Sequence, residues 1–525
     1  MKRVPVVLVL VVLLAGLLFL ERTGDRTEAE AATIVVGGPQ APVGEGERST
    51  WYCSAGFTTP DASNDHQVIV TNDSDQVASG QLTVFPSLPN TLGDMVPIER
   101  AVQPLQVAPR SQSVVSLAPL VSSLDERLQL ETGSFVAALG EFETGGVSVA
   151  HAIVTPAGRD AAPCATSASN SWWFASGTTT NEVQYQLYLL NPFPDDAVVD
   201  ISFVTDGGIR TPSRFDGRLI PRQSVTMLDI SAEVPVWDQV TTEITTRTGR
   251  VVAERVQLFR DPGGPIGVSL TPGVNEMSEQ WFFPAGGALL NAAESYVIFN
   301  PTDEAAEVEF ELKPDSADRV GDIAPFGLPI GANERWVVTV SRHGTHPVST
   351  VAELDATNIA APGERYFVSV RSFNGVPVVA ERVLTRPIDT QRGVATSFGI
   401  TMASTDQVLA VPVPLTSTAI SVEAAAQSGE LAILNPAGDT ISRVEIWVGR
   451  DDAAPLMREQ VELAPRRRAN FDLATLLRDG DRWIRIVSST GTMAELVIGT
   501  DTSIVSLAAT PSVHTTSVPD LLSFD

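Results

Sequence analysis

Lysine is almost absent from this 525-residue chain: it occurs at Lys2 and Lys313, and arginine supplies the remaining formal positive charge. Charged residues of both signs make up only 19% of the chain and hydrophobic residues 43%, which excludes a disordered chain and indicates packed cores. Acidic residues still outnumber basic ones by 63 to 35, for a formal net charge of -28. Such a surface repels nucleic acid and anionic lipid headgroups, so we expect neither as a partner.

The sequence also lacks the residue sets that catalysis needs. Five histidines are scattered along it, His66, His151, His343, His346 and His514, and we find no nucleophile elbow, phosphate-binding glycine loop or Ser/His/Asp set. His343 and His346 could offer two metal ligands, but a zinc site takes three or four, which favours an exposed polar loop. We therefore predict no enzymatic activity, no cofactor and no metal.

Cysteine occurs only twice, at Cys53 and Cys164. Both follow the apolar N-terminal segment, on the side that we place outside the cytoplasm, where a pair of thiols usually forms a disulfide. That bond would close a loop of about 110 residues, worth up to ~4–5 kcal/mol in the chain-entropy model. The alternative is two buried free thiols.

A single long hydrophobic run extends from Val4 to Leu20, behind Lys2 and Arg3. Its length lies between that of a spanning helix and that of a signal-peptide core. No small-residue cleavage site follows directly, although the stretch Ala29 to Ala32 is a distant candidate. We therefore favour an uncleaved signal anchor over residues 1–20, with its basic end inside, and a linker over residues 21–46.

Four landmarks recur in the same order along the rest of the chain, which indicates tandem repeats. They are an aromatic start, a strand that ends in asparagine, an apolar-Pro-Arg turn, and a Gly-led strand that carries Ala-Glu. The aromatic starts contain Trp51, Trp172 with Trp173, and Trp281, and the eroded fourth is placed at Val411 to Pro414. The terminal asparagines are Asn72, Asn191, Asn300 and Asn435.

The last landmark carries Glu254, Glu381 and Glu495 in copies two to four, with His151 in place of glutamate in copy one. Glycosidases need two carboxylates facing one site, whereas here one glutamate recurs in separate repeats. We interpret it as structural, in a cross-strand pair or a bond to a turn.

The tryptophans of the aromatic starts have two interpretations. They could be platforms on which a glycan stacks, or contacts with another partner, and they could equally be core residues that bury a large area at the end of a strand. We favour the core interpretation for Trp51, Trp172, Trp173 and Trp281.

Apolar and polar residues alternate with period two between the landmarks, as in Val199, Ile201 and Phe203 against Asp200 and Ser202. This pattern is typical of half-buried strands. With roughly seven strands a copy, it predicts an all-β protein of four tandem immunoglobulin-like β-sandwich repeats after an N-terminal transmembrane helix. The repeats are placed at residues 47–160, 161–272, 273–400 and 401–510, before a tail at 511–525. We expect a short helix at 472–477 and a long surface loop around 342–365.

These landmarks resemble repeats of secreted and surface proteins of Gram-positive bacteria, which begin with a Trp motif, pass through an Asn-Pro strand and end near Ala-Glu-Arg. With its N-terminal anchor, the arrangement over roughly residues 1 to 510 is similar to the actinobacterial domain-of-unknown-function 5719 family. The resemblance implies an exported β-rich protein. It implies no activity and no site residues.

We therefore predict a non-enzymatic scaffold or interaction protein of the bacterial cell envelope. It would be anchored in the cell membrane by one N-terminal helix, with the bulk of the chain extracytoplasmic, as a rod of tandem sandwiches. Its partners would be the membrane and an envelope protein or glycan. Two alternatives stay open: a lectin-like glycan-binding surface protein that uses the Trp-rich ends, and an envelope enzyme with a pocket where acidic residues and a histidine converge.

Overall fold

A computed structural model describes residues 48–90, 94–124, 133–261, 264–287, 293–316, 323–341, 353–355, 363–386, 393–411, 429–451, 453–478, 480–499 and 503–511. The predicted anchor, the linker up to residue 46, most of the tail, and His343, His346 and His514 lie outside these ranges. Within them no helix has the length and apolar character needed to cross a membrane. The described chain is nearly all strand, so the all-β prediction is confirmed.

Repeat 1 pairs its strands into two antiparallel sheets, ordered β1-β8-β4-β5 (with β2 on β8 and β6 on β4) and β10-β9-β3-β7. Its elements are β1 (Ser49–Cys53), β2 (Phe57–Thr58), β3 (Asp65–Asn72), β4 (Ala78–Pro89), β5 (Met95–Pro97), β6 (Ala101–Val107), β7 (Ser111–Ser116), α1 (Ala118–Ser122), β8 (Ser134–Phe142), β9 (Val147–Thr155) and β10 (Gly158–Pro163).

Repeat 2 has the same plan, with sheets β11-β17-β13-β14 (β15 also on β13) and β16-β12-β18-β19. Its elements are β11 (Ser171–Phe174), β12 (Val183–Asn191), β13 (Ala197–Thr205), β14 (Gly208–Arg210), a 3₁₀ turn (Ser213–Phe215), β15 (Arg218–Ile220), β16 (Ser224–Asp229), α2 (Ile230–Glu233), β17 (Val240–Thr248), β18 (Val252–Arg260) and β19 (Ile266–Pro272).

Repeat 3 has sheets β20-β26-β22-β23 and β25-β24-β21-β27-β28. Strand β25 pairs parallel to β24, and it is the described part of the segment predicted as a long loop. The elements are β20 (Gln280–Gly287), β21 (Ala293–Phe299), β22 (Ala306–Pro314), β23 (Phe326–Ile330), β24 (Arg335–Ser341), β25 (Glu353–Asp355), β26 (Arg365–Ser372), β27 (Val379–Thr385) and β28 (Val394–Phe398).

Repeat 4 differs because its long strand β34 runs through both sheets. The first half of β34 pairs with β29 and β31, and the second half with β30 and β35. The elements are β29 (Ser404–Ala410), β30 (Gly429–Asn435), β31 (Ser442–Arg450), β32 (Leu456–Leu463), β33 (Arg467–Asp472), α3 (Leu473–Leu476), β34 (Asp481–Gly499), β35 (Ile504–Ala508) and β36 (Thr510–Pro511). Helix α3 confirms the short helix predicted here, and the Asp472 side chain caps it by accepting from the Ala474 N–H.

The asparagine at the end of each central strand is fully buried and clamps two loops together. In repeat 3, Asn300 Oδ1 accepts from the Thr302 N–H at 3.0 Å, and its Nδ2 donates to the carbonyls of Glu304, Ile330 and Gly331. Equivalent bonds are made by Asn72, Asn191 and Asn435. The amide therefore ties the strand end to the following turn, a role beyond the turn tolerance that asparagine brings by itself.

The repeats do not line up as a rod; that prediction is wrong. The last strand of each second sheet contacts its counterparts in the next repeat and in the previous one, in the order β10, β19, β28, β35, and β35 returns to β10. We call these four the edge strands. Residues 37–525 accordingly form one compact unit. The four repeats therefore close into a ring in which neighbouring edge strands pack against one another.

Side chains link the edge strands to one another. The Asp160 carboxylate accepts from the Leu270 N–H at 2.7 Å, and Ser269 and Thr396 share a hydroxyl–hydroxyl bond of 2.7 Å. The ring closes where the Arg159 N–H donates to Ser503 Oγ at 2.8 Å.

Candidate functional site

Strand register shows which residues of the four Ala-Glu strands are equivalent. Glu254, Glu381 and Glu495 each pair with the residue three positions before the terminal asparagine of their own repeat. In repeat 1 the residue at that position pairs with Ala150. His151 pairs one residue further back, as Arg255 and Arg382 do. The interpretation of His151 as a substitute for glutamate is therefore wrong: it stands in the place of arginine. Sequence similarity alone put the alignment out by one residue, and a one-residue shift reverses the face of a strand.

Each of the three glutamates reaches into the preceding repeat and accepts a backbone N–H just after its aromatic start. The bonds are Ala55 to Glu254 at 2.6 Å, Ser176 to Glu381 at 2.8 Å and Ala285 to Glu495 at 3.0 Å. All three carboxylates are buried. The recurring glutamate thus joins each repeat to the one before it, as the structural interpretation of these residues requires.

An arginine of the preceding repeat faces Glu381 and Glu495. Arg255 pairs with Glu381, and Arg382 lies 2.5 Å from Glu495. Burial opposes the charge on both guanidiniums, but the facing carboxylate holds the pKa of Arg255 and that of Arg382 above the ordinary value. Further hydrogen bonds offset the cost of burying such a pair. Each arginine also donates to a backbone carbonyl of its own repeat, at Ser176 and Ala285, whereas the Nε of each is buried without a partner among the described residues.

Repeat 1 builds the same junction from two histidines. His151 Nε2 lies 3.2 Å from Glu254 Oε1, a contact without hydrogen-bond alignment, and His151 Nδ1 is 2.9 Å from His66 Nε2. Burial and the neighbouring His151 hold the pKa of His66 well below its ordinary value. This is the one place among the described residues where histidine and glutamate converge, and all three side chains are fully buried.

The fourth junction, between repeats 4 and 1, contains no such pair. Its arginine position is Leu496 and its glutamate position is Ala150. Both lie in one hydrophobic cluster with Ile69 and Leu431. Three polar junctions and one apolar junction therefore complete the ring.

A cavity of about 120 Å³ lies where the C-terminal ends of the four edge strands meet. Repeats 1 to 3 contribute the ends of these strands and the connectors that follow them, and repeat 4 contributes Ser506, Ala508 and Ala509 from its last strand and Gln407 from its first. Trp172 and Phe398 form aromatic parts of the wall, and Ser167, Asn275 and Ser397 are among its polar groups. None of the lining residues is charged. We call this space the axial cavity.

The four tryptophans singled out in the sequence are core residues. Trp51 and Trp281 are fully buried, Trp172 and Trp173 nearly so. The indole N–H of Trp172 donates to the Val251 carbonyl, and that of Trp281 to the Val378 carbonyl, both at 2.8 Å. Only Trp172 lines the axial cavity. A glycan could reach Trp172 there, whereas the faces of Trp51 and Trp281 are covered by protein.

The first landmark of repeat 4 lies earlier in the chain than Val411 to Pro414, where the sequence placed it. Strand β29 begins at Ser404, and Gln407 occupies the tryptophan position: its Nε2 donates to the Thr492 carbonyl at 2.9 Å, as the indoles donate in repeats 2 and 3. Of the predicted segment, only Val411 is among the described residues. The amide replaces the indole N–H, and a search for aromatic residues could not find it.

The disulfide predicted between Cys53 and Cys164 is confirmed, and the bonded pair is fully buried. Cys53 holds the place of Phe174 and Phe283 in the next repeats, and Cys164 that of Gly273 and Gly399. A Cβ at Gly273 would lie 3.0 Å from the Phe174 ring. Repeat 1 therefore uses a covalent bond where its neighbours pack a ring against a glycine.

No cluster of three or more His, Cys, Asp or Glu side chains suited to a metal occurs within the described ranges. The structure brings the predicted tryptophans, cysteines and glutamates into the junctions of the ring. The axial cavity itself had no signal in the sequence, because apart from Trp172 most of its wall comes from ends of the edge strands and connectors that carry none of the four landmarks.

Residues 144–328 match the model of a family of unknown function, DUF5719. The resemblance to the DUF5719 family that the sequence indicated is confirmed over these residues. The DUF5719 match runs from the last strands of repeat 1 through repeat 2 into repeat 3; it includes His151, Glu254 and Arg255, and Glu381 lies beyond it. No curated protein matches the sequence. Among solved structures, an α-L-rhamnosidase of Streptomyces avermitilis aligns with 9% identity and a TM-score of 0.12, over 74% of this chain and 48% of that one. The chain thus spans about half of that structure, and a likeness this weak carries no argument.

Proposed function

We propose that this protein is a non-enzymatic scaffold of the bacterial cell envelope, held in the cell membrane by a helix at residues 1–20, with its repeats outside the cytoplasm. Each repeat would be an immunoglobulin-like sandwich; successive strands that alternate between two antiparallel sheets support this assignment. The observation that carries the proposal is the ring of buried junctions. Three glutamates and their cations serve to hold four repeats at fixed positions, which suits a protein that presents a constant surface.

The charge and the disulfide support the location and the class of partner. A buried disulfide is typical of an oxidising compartment. A formal net charge of -28 favours basic proteins or cations over nucleic acid as contacts. The buried state of the His66, His151 and Glu254 cluster supports a structural role over the envelope-enzyme alternative, because a substrate has no access to it.

The test is cross-linking of the full chain in intact cells, followed by fractionation. We expect the protein in the membrane fraction, protease-accessible from outside, and cross-linked to one or a few envelope proteins. A charge-reduced variant with the exposed Glu99 and Glu279 replaced by Gln should keep its fold and lose part of the cross-linking to basic partners. Recovery in the cytoplasmic fraction would overturn the location, and cross-links to the chain alone would overturn the scaffold.

A further inference from the structure

The axial cavity is a property of the whole ring, and it carries an inference that goes beyond scaffolding. All four repeats supply part of its wall. It therefore exists only when the apolar junction of Leu496 with Ala150 is closed, and no single repeat could form it. Ligand sites in proteins are typically such concave spaces with apolar walls and a few placed polar groups.

The lining excludes a charged occupant. Charged residues make up 19% of the chain, yet none lines the axial cavity. An ion that entered it would lose hydration without a counter-charge, which is costly. The nearest buried charges are already paired: Arg255, which bonds to Thr271 and Thr396 of the wall, is neutralised by Glu381.

The polar groups of the wall are suited to hydroxyl ligands. Asn275 donates to Ser167 Oγ at 3.2 Å, on the part of the wall built by two connectors. Ser397 Oγ is buried and has no hydrogen-bond partner among the described residues. A buried hydroxyl without a partner is uncommon, and rotation about χ1 of Ser397 would turn its Oγ toward a ligand hydroxyl in the cavity. Trp172 and Phe398 supply apolar surface beside these groups.

The volume admits one six-membered ring but not every group attached to it. An apolar cavity of roughly 150 Å³ in another protein holds benzene, and the axial cavity measures about 120 Å³ and is partly open to solvent. A pyranose is larger than benzene because hydroxyl groups surround its ring, so it would place its apolar C–H face and ring against the wall and leave its outer hydroxyls in the opening. We propose that the axial cavity binds a single neutral pyranose unit, free or at the end of a glycan chain.

The test uses the full chain in lipid nanodiscs and ligand-observed NMR titration. The probes are methyl β-D-glucopyranoside, methyl α-D-mannopyranoside and methyl β-D-galactopyranoside. Sodium glucuronate tests the effect of charge on the same ring, and cyclohexanol tests an apolar ring with one hydroxyl. We expect saturable binding of at least one glycoside and none of glucuronate.

Three substitutions in the cavity wall, two that remove a polar group and one that fills the space, test whether the glycoside binds in the axial cavity. Ser397→Ala and Asn275→Ala should each weaken it roughly 2- to 10-fold, the worth of one hydrogen bond, and Ala508→Phe should abolish it by filling the space. Ser123→Ala, at an exposed serine directly after α1 of repeat 1, is the matched control and should leave glycoside binding unchanged. Circular dichroism confirms that each variant is folded.

The inference would be overturned if none of the three glycosides bound. It would also be overturned if cyclohexanol bound as tightly as the best of them. Binding that both Ser397→Ala and Asn275→Ala leave unchanged would place the sugar elsewhere and also overturn it. None of these outcomes bears on the scaffold, because cross-linking in cells is measured separately.

Discussion

Arg255 and Glu381 lie 126 positions apart in the sequence and form a fully buried ion pair that joins repeat 2 to repeat 3. The same glutamate accepts the Ser176 N–H, so one carboxylate holds both a side chain and a backbone of the neighbouring repeat. Because a buried charge without its partner is strongly unfavourable, the junction makes each repeat depend on the next.

Removing the arginine should therefore be costly. We expect Arg255→Met to lower the free energy of unfolding by about 3–5 kcal/mol, since Glu381 is left buried and uncompensated. The double variant Arg255→Met, Glu381→Gln should cost less than the sum of the single changes. Denaturant unfolding measures both. The exposed pair Arg443 and Glu462 is the control, and Arg443→Met should change stability by less than about 1 kcal/mol. If Arg443→Met lowered the free energy of unfolding as much as Arg255→Met, the junction would not have the stabilising role assigned to it.

The asparagine clamp predicts an order among substitutions at one position. Asn300→Ala leaves the carbonyls of Glu304, Ile330 and Gly331 without their donor, at about 1–3 kcal/mol for each buried group left unsatisfied. Asn300→Asp keeps the acceptor for Thr302 but directs a second oxygen at those carbonyls, so we expect it to be less stable than Asn300→Ala at neutral pH. Thermal unfolding of the two variants decides this; an aspartate variant as stable as wild type would show that the clamp contributes nothing.

The disulfide of repeat 1 stands where repeats 2 and 3 pack a phenylalanine ring against a glycine. Substituting the second arrangement for the first tests whether the two are equivalent. Replacing Cys53 and Cys164 by Ala should lower the free energy of unfolding by about 2–5 kcal/mol. The variant Cys53→Phe, Cys164→Gly copies repeats 2 and 3 and should recover part of that loss. Unfolding with and without reductant compares the three proteins. Should the Phe/Gly variant be no more stable than the Ala/Ala variant, the proposed equivalence fails.

Asp160 should make stability decline with rising pH. Burial raises the pKa of its carboxyl well above 3.8, although the N–H groups of Ala161 and Leu270 oppose this. A folded-state pKa above the unfolded one gives stability that is complete below pH ~4 and is lost as the pH rises through the folded value. Asp160→Asn should therefore make the melting temperature depend less on pH above pH ~4.

Asp61 is the control of opposite sign. Hydrogen bonds from Thr59 and Ser63 lower the pKa of this exposed carboxyl to about 2. Its contribution is present above the unfolded value and is lost as the pH falls, so Asp61→Asn should affect only the acidic end of the profile. Identical profiles for the Asp160 variant and wild type would refute the assignment.

The sequence predicted what depends on local pattern. Alternating residues such as Val199, Ile201 and Phe203 give strands because side chains in a strand face opposite sides in turn, and they do form β13. The paired cysteines and the recurring glutamates were likewise visible as residue types. Their partners were not, because Glu381 meets Arg255 through the packing of whole repeats, which no period in the sequence encodes.

Two errors have the same physical origin. His151 was aligned with glutamate because it follows Ala150, although hydrogen-bond register puts it with Arg255. Gln407 was missed because it keeps the N–H of tryptophan and not its ring. In both cases the position in the strand register is kept while the residue type changes, and a residue-type pattern cannot follow that.

The apolar junction distinguishes the first and last members of the ring from the inner ones. Ala150 offers no carboxylate to a repeat placed before it, and Leu496 offers no cation to a repeat placed after it. Repeats 2 and 3 each carry an arginine that the glutamate of the following repeat neutralises. Charge pairing therefore fixes the order of neighbours inside the chain, and an apolar contact between its two outer repeats completes the circle.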